Sequence, residues 1–260
     1  MGLRMTENQL KKEIFNRYGA VTRARGCFLY TKKGVRLTDL YQAGGRAILG
    51  WGWGDAFTKF KNVLNRGITG FFVTEYENQI NKAVSELLQS PRQVIFTSCA
   101  QDFFPLWEPW NENHPGLSEI AKLDSVSVKP PLPWTDSLYM VCVKPGFDEN
   151  KIFEKIDLPS PLIAAVTRSV YDLIKAMKER EEKNWFIYDQ ILVKFFERQG
   201  PYLYPRISEH KYDDFVLFCL DNGIVINPDC NEHSIVPFGA DRGVFTKLKN
   251  DERSQAYAAG

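Results

Sequence analysis

Apolar positions in this chain switch repeatedly between a helical period and the period of a strand. From Thr74 to Gln89 the residues Ile80, Ala83, Val84, Leu87 and Leu88 recur at helical spacing, and Ser90-Pro91 breaks the run. Thr6 is placed to cap a first helix reaching Arg17, with Leu10, Ile14 and Phe15 on one face and Tyr18-Gly19 closing it. Gly26 to Tyr30 then reads as a strand, Thr31 to Gly34 as a hairpin turn and Val35 to Leu40 as the return strand. A short helix is expected over residues 55–65 and a buried strand over 94–98.

From Asp102 to Trp134 the pattern breaks down. Pro105, Pro109, Pro115, Pro130, Pro131 and Pro133 exclude a mainly helical course, and Trp107, Trp110 and Trp134 add bulk. The stretch reads as an aromatic-rich crossing loop with a short helix near residues 117–123. Leu138 to Val143 returns as a strand, ended by Lys144-Pro145-Gly146. A long helix follows over 159–183, Pro161 suiting its first turn. Ile191, Leu192, Phe195 and Phe196 predict another over 187–199, before a strand at 202–204 and a helix over 212–222 closed by Gly223. Residues 224–227 and 234–237 read as short strands around a turn at 228–232. Strands and helices interleave too closely for a bundle or a sandwich, so the fold class is α/β, an α+β mixture.

Composition narrows the function classes. The 260 residues are 44% hydrophobic, as in globular proteins, and Lys+Arg 33 against Asp+Glu 32 leaves a net charge of +1. That balance gives no support for a nucleic-acid partner. No apolar stretch reaches the ~20 residues that span a bilayer, and Met1 to Lys12 is polar, so no membrane partner and a cytoplasmic location are expected. Cys27, Cys99, Cys142, Cys219 and Cys230 form no CxxC pair and read as reduced thiols. His114, His210 and His233 are too dispersed for a metal site.

Two segments carry a resemblance. Near the start stand Arg23-Ala24-Arg25-Gly26-Cys27-Phe28-Leu29-Tyr30, Lys33-Gly34, Leu37 to Tyr41, Gly44-Gly45 and Leu49-Gly50-Trp51. Near the end stand Asp221-Asn222-Gly223-Ile224-Val225-Ile226-Asn227-Pro228 and Ser234-Ile235-Val236-Pro237-Phe238-Gly239-Ala240-Asp241. Both resemble the small domain of class III, fold-type I aminotransferases that use pyridoxal phosphate, with ends like those of glutamate-1-semialdehyde aminotransferase. The resemblance implies a discontinuous small-domain-like sheet backed by helices, built from 1–98 and 146–260, with a reduced or missing large domain. Residues 99–145 would then be a Pro/Trp-rich connection in its place. It also implies a homodimer, and leaves room for a separate protein partner that supplies the missing part.

Pyridoxal phosphate needs a lysine, an acid facing its ring nitrogen and a cup of N–H groups for its phosphate. Against the family's Ser-Gly-x-Glu-Ala cup, Ser98 matches, but Cys99 stands at the glycine and Gln101 at the glutamate. Gly44 and Gly45, beside Arg46, are the weaker phosphate-binding candidates, with tight turns as their ordinary role. No Asp-Glu strand end and no lysine in the family's glycine-rich context appears. Lys144 after a strand and Lys129 before Pro130-Pro131 are the lysines weighed for the cofactor, against an ordinary role flanking turns. The expected protein is a degenerate aminotransferase-like one, with no cofactor, acting in binding, regulation or assembly. One alternative is a divergent pyridoxal-phosphate transferase using Lys144 or Lys129. Another is an unrelated small-molecule binder whose Trp107, Trp110 and Trp134 line an apolar pocket. Lys129 to Trp134 also resembles a proline-rich ligand, though a rigid connector is the simpler reading. The family readings require residues 23–51 and 219–241 to pack together.

Overall fold

The computed structural model describes residues 4–70, 72–100, 104–134 and 137–257. The chain forms two compact units, Met1–Gly52 with Arg180–Gly260, and Trp53–Glu179. These boundaries differ from a 1–98 and 146–260 division. Residues 53–98 and 146–179 belong with 104–145, because they supply the helices and the edge strand of one sheet.

The first unit opens with α1 (Glu7–Tyr18), where Thr6 and Gln9 form a reciprocal capping box. β1 (Val21–Arg25), β2 (Phe28–Thr31) and β3 (Arg36–Asp39) follow as an antiparallel meander. β1 was not legible in the sequence, its residues being mostly exposed.

The second unit begins with α2 (Ala56–Asn65) and α3 (Tyr76–Leu87), both packed on α5 (Ser160–Glu179). Gly54 passes so close to Asp172 that a Cβ there would collide with Oδ2. Asp172 also accepts from Asp55 N at 3.3 Å and pairs with Arg168 at 2.8 Å, so one buried carboxylate ties the start of α2 to α5. Its sheet contains β4 (Gln93–Thr97), β5 (Leu106–Trp107), β6 (Ser125–Val128) and β7 (Tyr139–Val143) in the order β4-β7-β6-β5, with α4 (Leu117–Ile120) between β5 and β6. β5 runs parallel to β6, and β7 runs antiparallel to both β4 and β6. Residues 104–134, expected as a loop, therefore contribute two strands of an ordered sheet. Val126, Val128, Met140, Val141 and Cys142 are buried in it.

The remaining helices and strands complete the first unit: α6 (Lys183–Phe186), α7 (Asp189–Leu192), β8 (Phe196–Gln199), β9 (Tyr202–Pro205), α8 (Glu209–Asp221), β10 (Ile224–Val225), β11 (Ser234–Ile235), α9 (Thr246–Asn250) and α10 (Ser254–Tyr257). A single helix over 187–199 does not form. Its carboxyl half is β8, paired with β9 in register Phe196↔Pro205 to Gln199↔Tyr202, which buries Phe196 and Tyr202. Nor do 224–227 and 234–237 pair with each other: β10 adds parallel to β3, and β11 adds antiparallel to β9.

The β3–β10 pairing brings the two ends of the chain into one sheet, Ile224 opposite Thr38 and Val225 opposite Asp39. Asp39 fixes this junction. Its buried carboxylate accepts from Tyr41 N and Gln42 N, each at 3.0 Å, and from Trp51 Nε1 at 2.7 Å. Arg180 closes the same segment, donating to the carbonyls of Ile48 at 2.8 Å and Leu49 at 3.2 Å while lying 3.9 Å over the Phe238 ring.

Burial pushes the Asp39 carboxyl up to about 6, its three donors only partly opposing that. The folded form therefore holds this proton more tightly than the unfolded chain does. The stability that the proton adds is complete below the unfolded value near 3.8 and is lost as pH rises through about 6. We expect wild-type protein to be less stable at pH 7 than at pH 4 by about 2 kcal/mol from this group. Asp39→Asn should remove that slope, with an added pH-independent loss of about 1 kcal/mol for the Trp51 hydrogen bond. Urea unfolding of both proteins across this range, compared as a difference, measures it.

Candidate functional site

The antiparallel and parallel pairings put the carboxyl ends of β4, β5 and β6 on one edge of the second unit's sheet. In sheets of this kind the residues just beyond parallel strand ends are the usual place for a site. Here those residues are Glu108 after β5 and Lys129 after β6. They meet: Lys129 Nζ lies 3.6 Å from Glu108 Oε1. Glu108 is 6% exposed, a depth at which a carboxylate needs a cation and donors. Asn111 Nδ2 donates to Glu108 Oε2 at 3.0 Å, and His114 Nε2 stands 3.9 Å from the same oxygen.

The loop carrying Asn111 and His114 is tightly wound. Asn111 Oδ1 accepts from Asn113 N at 3.1 Å and Asn111 O from His114 N at 3.2 Å. Trp110 takes a left-handed backbone with φ 60°, a costly conformation for a bulky residue that the Glu108–Asn111 hydrogen bond helps hold. The result is a carboxylate enclosed by an ammonium, an amide and an imidazole.

The residues expected from the sequence are dispersed. Ser98 sits just past β4, on the same edge as Lys129, and no helix starts there among the described residues. Its hydroxyl donates to Glu154 Oε2 at 2.8 Å and its N–H to Glu154 O at 3.1 Å. The Ser98 hydroxyl, with Cys99, holds the Glu154 carboxyl below its usual range. Ser98 therefore faces an ionised carboxylate, which repels a phosphate. Gln101, the third residue weighed for that cup, lies outside the described residues. Lys144 follows β7 at the opposite end of the sheet, roughly 17 Å from the Ser98 edge by the rise of a strand. It donates to Lys122 O at 2.7 Å and stands 3.6 Å from Asp124 at the surface. Gly44 and Gly45 belong to the first unit, with φ 62° and 86°, and Gly45 N donates to Tyr41 O at 3.3 Å. They form a turn that needs positive φ, and the Gly45 N–H is spent within it. Sequence reasoning missed Glu108, which no spacing marks between Trp107 and Pro109.

The fold has known counterparts. An ornithine aminotransferase from Plasmodium yoelii superposes with a TM-score of 0.61 at 11% identity, covering 94% of this chain and 96% of that one. The chain has the aminotransferase fold. An acetylornithine aminotransferase from Elizabethkingia anophelis gives 0.59 at 12% identity over 92% and 96% of the two chains. The Toxoplasma gondii ornithine aminotransferase, described with partial occupancy of pyridoxal phosphate at its active site, gives 0.63 at 10% over 95% and 97%. These neighbours are class III, pyridoxal-phosphate-dependent aminotransferases. An uncharacterized protein of Treponema pallidum (strain Nichols) is 25% identical over 291 residues, 86% of this chain and 91% of its own. No family model matches the sequence.

Pyridoxal phosphate does not fit this site as built. A ring held by a lysine at its 4-substituent and by an acid at its nitrogen keeps the two groups a ring's width and two bonds apart. Lys129 and Glu108 are in direct contact, and Asn111 and His114 occupy the other side of the carboxylate. Removing one partner of so enclosed a pair strands the other charge. Lys129→Met and Glu108→Gln should each lower stability by about 3 kcal/mol, whereas Lys144→Ala should stay within about 0.5 kcal/mol of wild type. Chemical unfolding of the three variants at pH 7 checks this ranking.

Proposed function

We propose that this protein uses the aminotransferase framework as a binding or regulatory scaffold, without pyridoxal-phosphate chemistry. The observation that carries the reading is the closed Lys129–Glu108 contact at the carboxyl ends of β5 and β6, where the cofactor's lysine and acid would have to stand apart. The ionised Glu154 beside Ser98 supports it, because that position offers a phosphate a negative neighbour in place of a cup of N–H groups. Assembly as a homodimer, or with a separate protein that completes a catalytic half, belongs to the same proposal.

A second reading has one observation in its favour. Lys129 and Glu108 lie at the ends of adjacent parallel strands, the usual place for a site in such a sheet, and a ligand able to part them would find both a lysine and an acid. The position at the strand ends favours Lys129 over Lys144, which follows β7 at the far end of the sheet, for the divergent-transferase alternative.

Incubation of purified protein with excess pyridoxal phosphate separates the two. The scaffold reading predicts no visible absorption band after desalting, and no specific mass added to Lys129 after borohydride. A band that borohydride bleaches, with the added mass mapped to Lys129 and lost in Lys129→Met, would overturn it.

A further inference from the structure

A cavity of about 640 Å³ opens within the second unit, between α3, the outer edge of β4 and the segment 155–160 that leads into α5. Its size lies in the range of small-molecule sites. β4 is an edge strand, closed only near its carboxyl end, where Lys155 bridges Thr97 and Ile156 N donates to Phe96 O at 2.9 Å. Farther back, Val94 N donates to the Asn81 side chain at 2.8 Å, so α3 covers that part of the edge. The space left between is apolar, lined by Ile80, Val94, Ile95, Ile156, Leu158 and Ile163. Of these, Val94, Ile95, Ile156 and Leu158 are only half-buried, so apolar surface remains for a ligand to cover.

The charged groups around the cavity decide what kind of ligand fits. They are Glu77, Glu149, Asp157 and Lys155. Lys155 is taken by Glu149, at 3.4 Å. No basic side chain pairs with Glu77 or Asp157 among the described residues, and Glu77 accepts only from the Thr74 hydroxyl, at 3.0 Å. Helix starts do not supply the missing positive charge. In α5, Pro161 has no N–H, and those of Leu162 and Ile163 donate to Pro159 O at 2.8 and 3.2 Å. In α3 the first turn carries Glu77 itself, which neutralises the positive end of the helix. Among the described residues, an anion would therefore meet Glu77 and Asp157 with no basic side chain paired to either to offset them, whereas a cation would complete them.

We propose that this cavity binds an apolar molecule carrying a single cationic head, an amine or a guanidine, with no carboxylate. The head sits at the Glu77 and Asp157 rim, and the body covers Ile80, Val94, Ile156, Leu158 and Ile163. The site is separate from the Glu108–Lys129 pair, which lies across the sheet at β5 and β6, and it does not depend on whether that pair binds a cofactor.

Three probes of one shape test it on the full chain by isothermal titration at low salt: 4-phenylbutylamine, 4-phenylbutanol and 4-phenylbutyrate. The amine should bind about tenfold more tightly than the alcohol, and the carboxylate most weakly. Glu77 and Asp157 are exposed, so Glu77→Gln with Asp157→Asn leaves the fold intact and should reduce the amine to the affinity of the alcohol. Raising the salt should narrow the difference in wild type and leave the double variant unchanged. Equal binding of amine and alcohol, tighter binding of the carboxylate, or no binding of the amine at millimolar concentration would each overturn the proposal.

Discussion

A carboxylate taken below the surface must be met by a cation or by hydrogen-bond donors, and Glu108 receives Lys129 from the end of β6 and the amide of Asn111 three residues on. Much of the second unit's local architecture follows from that demand. Lys129 arrives because β6 ends beside β5 in parallel register, Trp107 opposite Val128. Asn111 arrives because the chain turns sharply after Pro109, with Trp110 in a left-handed conformation. The same contact sets Lys129 and Glu108 against each other at the strand ends, with Asn111 on the carboxylate's other oxygen.

The first unit solves a comparable problem differently. Asp39 has no cation among the groups that shift its pKa, and relies on Tyr41 N, Gln42 N and Trp51 Nε1. Those donors come from the loop that follows β3, so the carboxylate ties the meander to the glycine-bearing segment after it, while β10 closes over β3. Two buried carboxylates thus organise two units by different means. One uses charge pairing and the other uses backbone and indole hydrogen bonds.

Much of this was legible in the sequence. The Thr6 cap, the hairpin at 26–40, the α3 stripe and the helix closed by Gly223 all stand where local pattern put them, because capping, turn chemistry and period are local properties. The packing of residues 23–51 with 219–241 was implied by resemblance alone, and its form, β10 parallel to β3, was not legible, as no local rule links Thr38 to Ile224. The errors share a cause. Ile191, Leu192, Phe195 and Phe196 fit a helical stripe, yet Phe196 to Gln199 is a strand because Tyr202 to Pro205 offers it a partner. Ser125-Val126-Ser127-Val128 alternates with period two and could have marked β6, and with it Lys129 as a strand-end residue. Its short length and the prolines that follow hid the signal. Glu108 gave no signal, since its role exists only once β5 and β6 are side by side.

The most direct measurement is a crystal structure of the protein grown with excess pyridoxal phosphate, read at the Lys129–Glu108 pair. The account predicts that Nζ stays in contact with the carboxylate near the present 3.6 Å and that no ring density lies between them. Density for a pyridine ring separating the two side chains, continuous with Lys129 Nζ, would contradict it.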